Sequence, residues 1–554
     1  MAADALYRDA LAACEQGRVE DGLALARRAV ALAPEQPRIH ALIGQALFHL
    51  GRHEEALASF DRAIALGSAT AAVFGGRADT LVALGRPEKA VASYDRSLAL
   101  NPDAVEDWTN RAAMLLALDR HADALVSADR ALALAPDLAD AHNNRANALD
   151  RLGRRAEALA AVDRALAAEP NHRAALVTRA VILRKLGRAE EALAGCARVL
   201  ALVPDDVEAL TVRGDALVDL ERLDEAVTTF DRVIALDPAA VGAKWNKSLI
   251  CLGLGRFAEG WPLYEHRWAG ARGLVPRLYP QPRWNGTRTD GPLLVWGEQG
   301  LGDEILHSSM IPDLMARTGR IVLEVEPRLV SLFARSFPGV TVVPLTPALY
   351  AGAVAAHEPI GGLGRHFRRR WEDFPKRERG YLVADAERVR ALRARLDDGR
   401  KVIGLSWISK APVGGEQKSA KLIDFAALLQ MPGYRFVDLQ YGDTQDERDT
   451  VERAQGVRVE RLSDIDNTND LDGLAALMGA CDAVVTVSNT TAHLAGALGR
   501  PTFVMVPHGH ARIWYWFRDR QQSPWYPHVR VRRQRRGEAW SALVAEIAAA
   551  VRGP

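Results

Sequence analysis

Cysteine is scarce in this chain of 554 residues, and the four that occur (Cys14, Cys196, Cys251 and Cys481) stand far apart with no CxxC pair. That argues against a disulfide framework or a zinc cluster and fits a reducing compartment. No apolar run approaches the roughly 18 residues of a membrane-spanning helix. The opening residues, MAADALYRDA, lack a basic stretch followed by an apolar one, so no signal peptide is expected and the chain reads as cytoplasmic. Neither sign of charge dominates. With 71 basic and 70 acidic side chains the net is +1, which gives no polybasic surface for nucleic acid. Lysine is rare, nine of the 71 basic residues. HExxH, GxSxG and zinc-ligand spacings are missing. His508 and His510 flank a glycine without a carboxylate partner, so no metal is assigned. What remains is an ordinary globular composition, 48% hydrophobic and 25% charged. The length suits three or four domains at about 150 residues each.

The balance of charge hides a division. Residues 1–272 carry 33 basic and 38 acidic side chains, a net of −5, and the remainder carries 38 and 32, a net of +6. The dividing point is set by a repeat of 34 residues. The middle of a Leu-Gly-Arg-like triplet recurs at Gly17, Gly51, Gly85, Asp119, Gly153, Gly187, Glu221 and Gly255. Five residues on stands a small residue: Gly22, Ala56, Ala90, Ala124, Ala158, Ala192, Ala226 and Gly260. Prolines keep the period at Pro34, Pro102, Pro136, Pro170, Pro204 and Pro238, with Ser68 the one interior miss. Each unit reads as two amphipathic helices joined by a tight turn. The small residues let the helices approach, and the proline ends the second one. The pattern resembles the tetratricopeptide repeat (TPR), with about eight copies over residues 3–270.

Such a solenoid has a concave surface suited to a peptide or another protein. At the sixth repeat position stand Leu42, Gly76, Asn110, Asn144, Thr178, Val212 and Asn246. An amide both donates and accepts, so Asn110, Asn144 and Asn246 form a candidate acceptor groove that holds backbone without reading sequence. This partial ladder resembles the asparagine ladder of the protein O-GlcNAc transferases, although polar solvated helix faces give the same pattern. The eighth unit, GRFAEGWPLYEHRW, carries Trp261, Tyr264 and Trp268, which are expected to cap the solenoid against the next domain. A Pro-rich linker follows over residues 271–291.

From residue 292 short apolar runs alternate with helical segments. PLLVW (292–296), IVLEV (321–325) and VTVVP (340–344) read as strands. After an Arg-rich stretch (366–400) come KVIGLSW (401–407), YRFVDLQ (434–440), VRVERL (457–462), DAVVTV (482–487) and PTFVMV (501–506). The alternation predicts parallel α/β structure in two Rossmann-like lobes, 292–395 and 396–537, closed by a helix over 538–554. The tail (Trp514, Trp516, Trp525, Tyr526, then RVRRQRR) reads as terminal packing followed by a solvated basic face.

Ligands of such sheets bind beyond the carboxyl ends of the strands. The turn GEQGLGDE (297–304) follows the first strand, and its Gly300 and Gly302 allow close backbone approach, with Glu304 and His307 just beyond. Asp303 lands near a helix N-terminus, as an N-cap or as a carboxylate that takes a proton from an acceptor hydroxyl. The spacing is neither GxGxxG nor a Walker A. A second turn, Ser488, Asn489, Thr490 and Thr491, enters a helix whose N-terminus favours an anion such as a diphosphate, with His493 placed to donate to it. Plain helix capping around a core histidine gives the same pattern.

GEQGLGDEI followed by Pro312, together with SNTTAHLAGALGRP, resembles the heptosyltransferase-like glycosyltransferases (family 9), which have the GT-B fold. The whole layout, repeats then YEHRW then GEQGLGDEI, is similar to bacterial TPR glycosyltransferases, some of which are similar in layout to flagellin-modifying transferases. The resemblance spans essentially the full chain. It implies an all-α TPR solenoid followed by a GT-B-like pair of α/β lobes, Asp303 as catalytic base and residues 488–493 as the donor-phosphate loop. It further places Lys418 against the donor diphosphate, Gln440 near the nucleotide base and Ser406 in the cleft wall. The GGEQKSAK run around Lys418 also suits a mobile solvated loop. Ser488-Asn489 stand where the family often has Asp-Thr, which removes an acid from the donor side. The implied activity is metal-independent, inverting transfer from a nucleotide sugar, a co-substrate with no cofactor, to a protein acceptor such as flagellin. Transfer to a lipopolysaccharide or other lipid-linked glycan is the alternative, and a non-catalytic TPR scaffold is the alternative of another class.

Overall fold

The computed structural model describes residues 2–269, 275–376, 379–411, 414–509 and 514–552, so that His510, residues 270–274 around the start of the expected linker and the last two residues of the chain lie outside the described residues. The chain divides into two compact units, Met1–Leu217 and Val218–Pro554.

In the first unit helices of 13 or 14 residues follow one another as hairpins, beginning with Ala2–Glu15 and Val19–Leu32. The turn inside each hairpin explains the glycine period. After helix Ala71–Ala83, Gly85 is left-handed (φ +66°), and the N–H groups of Gly85 and Arg86 donate to the carbonyls of Val82 and Leu81. Those bonds satisfy the last helical carbonyls, in a conformation that glycine adopts without a Cβ clash. Asp119 holds the same conformation (φ +55°), and the N–H groups of Asp119 and Arg120 reach Leu116 and Leu115. The departure at 119 changes the residue and leaves the turn intact. Ala56, Ala90, Ala124, Ala158 and Ala192 are fully buried where paired helices meet.

A second periodicity joins successive repeats. Arg77–Asp61, Arg111–Asp95, Arg145–Asp129 and Arg179–Asp163 pair at 2.7 Å, each from the first helix of one repeat to the second helix of the repeat before. The next rung would pair Arg213 with residue 197, which is alanine.

The second unit opens with helices Leu223–Leu236, Val241–Gly253 and Phe257–Tyr264 and a short turn, Glu265–Ala269. Strands β1 (Leu293–Trp296), β2 (Ile321–Val325), β3 (Thr341–Pro344) and β4 (Ala356–Pro359) form one sheet. Strands β5 (Lys401–Ser406), β6 (Tyr434–Asp438), β7 (Val459–Glu460), β8 (Ala483–Val487), β9 (Thr502–Val506) and β10 (Val529–Arg533) form the other. The orders are β3-β2-β1-β4 and β10-β9-β8-β5-β6-β7, and all pairings between these strands are parallel. In each sheet the chain winds to one side from its first strand and then returns to the other side. The winding reverses between β1 and β4 and between β5 and β8, the positions at whose carboxyl ends parallel sheets commonly take ligands.

Two strands escape the apolar pattern. β4 reads AHEP, yet it is wholly buried because Arg283 and Arg365 satisfy its Glu358 carboxylate at 2.9 and 3.0 Å. The basic run at 530–536, expected as a solvated face, instead supplies β10. There Val529 and Val531 turn inward, Arg530 turns outward, and Arg533 donates to the carbonyls of Trp516, Phe517 and Arg520. The closing helix Trp540–Arg552 buries Leu543, Val544 and Ile547 with Ile403, Leu405 and Phe436, so its core belongs to the second sheet. Trp261 is buried, with its indole N–H donating to the Arg368 carbonyl at 2.7 Å and its ring edge-on to Trp514. Among the described residues no helix is long and apolar enough to cross a membrane.

Candidate functional site

The turn after β1 is pinned from below. Glu298 is buried, and its carboxylate accepts from Nε and Nη2 of Arg267 at 2.7 Å and from the Gly361 N–H at 3.0 Å. Burial opposes the Arg267 charge, but the Glu298 carboxylate more than offsets that and holds the guanidinium above its ordinary value. The Arg267 guanidinium also lies 4.3 Å from the ring centre of Trp268 and 4.9 Å from that of Tyr264. Gln299 is left-handed (φ +64°), a costly state for a residue with a Cβ. Its amide donates to the Tyr264 hydroxyl at 2.9 Å, which supports that backbone. The YEHRW segment thus acts as the foundation of the GEQG turn.

Helix Leu301–Ser308 begins beyond this turn with Asp303 half-buried and Glu304 buried. Burial raises the Glu304 carboxyl to about 8, and its carboxyl oxygen accepts the Glu326 N–H at 3.0 Å. Glu304 is therefore mostly protonated near neutrality, and the Asp303 carboxylate lies close enough to Tyr264 and Tyr526 to help hold both phenols up. His307, one turn further on, is fully enclosed by Tyr264, Trp514 and Trp525, and burial lowers it to about 3. It is a neutral residue inside the aromatic core.

The two glycine-bearing turns meet. A Cβ built on Gly302 would lie 3.0 Å from the His493 ring. A side chain at 302 would press on that ring, so the glycine eases the close approach of helix Leu301–Ser308 to helix Thr490–Ala497. His493 is buried, stacks on Trp516 with centroids 5.2 Å apart, and places Nδ1 2.9 Å from the Tyr526 hydroxyl. Burial, with the charge of Lys418 adding, lowers it to about 3. His493 is thus neutral at physiological pH, and Lys418 is close enough to be felt.

At the carboxyl ends of β5, β6 and β8 the polar side chains hold one another. The Gln440 side-chain oxygen accepts from Ser406 Oγ and from the N–H groups of Trp407 and Ile408 at 2.8–2.9 Å. The Asn489 amide donates to Ser406 Oγ at 2.8 Å and to the Ile408 carbonyl at 3.1 Å. Its oxygen caps the helix at Ala492 N. Ser488 Oγ accepts the Trp516 indole N–H at 2.8 Å. Thr491 is buried and Thr490 half-buried at the helix entrance. Ser406, Gln440, Ser488 and Asn489 therefore set the shape of the strand ends. Lys418 and Thr490 are half-buried and Lys410 is exposed. Lys410 Nζ comes within 2.8 Å of where a Gly442 Cβ would stand. The sequence reading missed Asp438 and Asn467. Asp438 binds Arg461 at 3.1 Å, and Asn467 donates to the Asp438 and Gln440 carbonyls, which fixes the loop after β6.

In the first unit Asn110 donates to Asp79 at 3.3 Å and Asn144 to the Thr109 carbonyl at 3.0 Å. These amides tie adjacent repeats together. Asn246 lies on helix Val241–Gly253 of the second unit.

Residues 7–70, 76–139, 143–207 and 211–266 match the tetratricopeptide repeat family. Protein FlbA of Caulobacter vibrioides is 35% identical over 328 residues, 55% of this chain and 54% of FlbA, so the chain spans about half the length of that curated relative. Among solved structures, a tetratricopeptide repeat protein from Parabacteroides merdae is 19% identical, covering 45% of this chain and 98% of that one, with a TM-score of 0.38. A thermophilic TPR protein of Thermus thermophilus is 22% identical over 32% of this chain and 97% of that one, with a TM-score of 0.30. The repeats of the helical region are thus tetratricopeptide repeats, and the chain is homologous to FlbA.

Proposed function

We propose that the chain is a glycosyltransferase of the GT-B type, which moves a sugar from a nucleotide-sugar donor to a protein acceptor presented by its TPR solenoid. The observation that carries this reading is the meeting of two turns, one from the winding reversal of each parallel sheet, at Gly302 and His493. A nucleotide diphosphate on the second sheet would sit over the Thr490–Ala497 helix N-terminus, its charge met by backbone N–H groups and Lys418. Asp303 is the half-buried carboxylate on the facing turn, whereas Glu304 is buried and mostly protonated. In the reaction Asp303 takes the acceptor hydroxyl proton and the acceptor oxygen bonds to the anomeric carbon. The bond from that carbon to the phosphate oxygen breaks, and the nucleoside diphosphate leaves with the electron pair. Replacing a general base typically costs at least about a hundred-fold in rate. Asp303→Asn is therefore expected to keep donor binding and lose turnover to that extent in a donor-hydrolysis or transfer assay. Unchanged turnover in that variant sinks the assignment.

The scaffold reading has one observation in its favour: Ser406, Gln440 and Asn489 spend their hydrogen bonds on one another and on backbone. It gains if no nucleotide sugar binds.

A further inference from the structure

We infer that the amino-terminal edge of the first sheet carries a second anion site, built from arginine forks and suited to a phosphoryl group. An open groove of about 910 Å³ lies there, lined in part by Arg317, Phe367, Arg368, Arg369 and Arg370. Arg317 ends helix Ile311–Arg317 just before β2 begins. Because that helix runs back against its parallel strand, Arg317 stands at the sheet edge opposite the GEQG turn. The groove therefore belongs to neither of the two turns described above.

Among the described residues the local charges do not balance. Asp313 is held by the buried Arg368 guanidinium at 2.8 Å. The Asp373 carboxylate accepts the N–H groups of Arg369 and Arg370 at 2.9 Å and has the exposed Arg370 guanidinium at 3.4 Å. Neither Arg317 nor Arg369 has a carboxylate at ion-pair distance among the described residues. The Arg317 guanidinium lies 4.6 Å from the ring centre of Phe367, which steers it without neutralising it. His366, also on the groove, is held down at about 4 by burial, then by the charges of Arg365 and Arg317, so it adds a neutral imidazole.

Among the described residues Arg317, Arg369 and Arg370 share the single Asp373 carboxylate, and Arg317 and Arg369 have no counter-charge at ion-pair distance. A phosphoryl group brings about two negative charges and three acceptor oxygens, and guanidinium forks bind those oxygens in pairs. The groove takes that group from either of two sources, a soluble phosphoester or a phospholipid headgroup.

The test is arginine labelling of the full-length protein with phenylglyoxal, read peptide by peptide by mass spectrometry. One arm adds inorganic pyrophosphate, and the other adds soluble dihexanoyl phosphatidic acid. At about nine times Kd, occupancy slows labelling of a bound residue about ten-fold. Arg317 and Arg369 are expected to show that protection while the exposed Arg390 does not. The arm that protects at lower concentration names the source. The measurement is repeated with Lys418→Ala, which disables the proposed donor site, and protection is expected to persist. Equal labelling with and without both probes overturns the inference. Protection that disappears in Lys418→Ala also overturns it, because the ligand then belongs to the donor loops. In Arg317→Gln/Arg369→Gln on the Lys418→Ala background, pyrophosphate should no longer shift the melting temperature, and a retained shift counts against the site.

Discussion

Single residues carry two kinds of cost here. At Asp119 a side chain sits in a left-handed turn that six other repeats give to glycine. A residue with a Cβ gives up roughly 1 kcal/mol or more in that conformation. Asp119→Gly is therefore expected to stabilise the protein by about 1 kcal/mol, since its own contact is a 3.7 Å approach from His121 at a carboxylate that is 86% exposed. Urea unfolding checks it, and a loss of stability would show that the aspartate does more than fill the turn. Glu304 carries the other cost. Its folded carboxyl keeps its proton to about 8, whereas its ordinary value is 4.5. The stability it contributes is whole below the lower value and is lost as pH rises through the higher one. His307 and His493, both lowered to about 3, act in the opposite sense. Their contribution is present above the ordinary imidazole value of 6.5 and is lost as the solution is acidified towards 3. Glu304→Gln keeps an oxygen for the Glu326 N–H and removes the titration. Its stability relative to the parent should climb steadily between about pH 5 and 8, and a constant gap across that range contradicts the burial argument.

At the scale of elements, legibility followed periodicity. Gly85 and its partners announced the hairpins because a left-handed turn admits few residues, and the buried β1, β2, β8 and β9 announced themselves as apolar runs. β4 was hidden because its glutamate is buried through Arg283 and Arg365, a partnership made by residues 75 and 7 positions away. β10 was hidden because arginines fill its outward positions. At the site, the glycines and Asp303 could be read from the sequence. That Ser406, Gln440 and Asn489 bind each other could not, because three strands must first be laid side by side. The Arg–Asp rungs could have been found, since Asp-Arg recurs at 61, 95, 129 and 163. The closest element contact at the site is testable through Gly302→Ala. The added methyl would stand 3.0 Å from the His493 ring, which is stacked and has little room to move. Overpacking of this kind costs about 1–3 kcal/mol. We expect that loss in thermal unfolding and, on the proposed activity, a larger loss of turnover. A variant as stable and active as the parent would show that the two helices do not need this approach.

For the whole molecule, the near-zero net charge is a sum of unlike parts. The repeat region, −5, is laced by ion pairs between neighbouring repeats, and the α/β region, +6, has lysines beyond the carboxyl ends of the second sheet and arginines at the amino-terminal edge of the first. The central claim is that the second sheet binds a nucleotide-linked diphosphate where its winding reverses. The most direct measurement is a thermal-shift titration of the full-length protein across a set of nucleotide sugars, repeated with Lys418→Ala and with Thr490→Val. Binding to the folded state alone stabilises by about 2.7 kcal/mol at a hundred times Kd. A saturable rise in melting temperature is expected for at least one nucleotide sugar, weakened in both variants. No shift with any of them, or a shift that both variants leave unchanged, would contradict it.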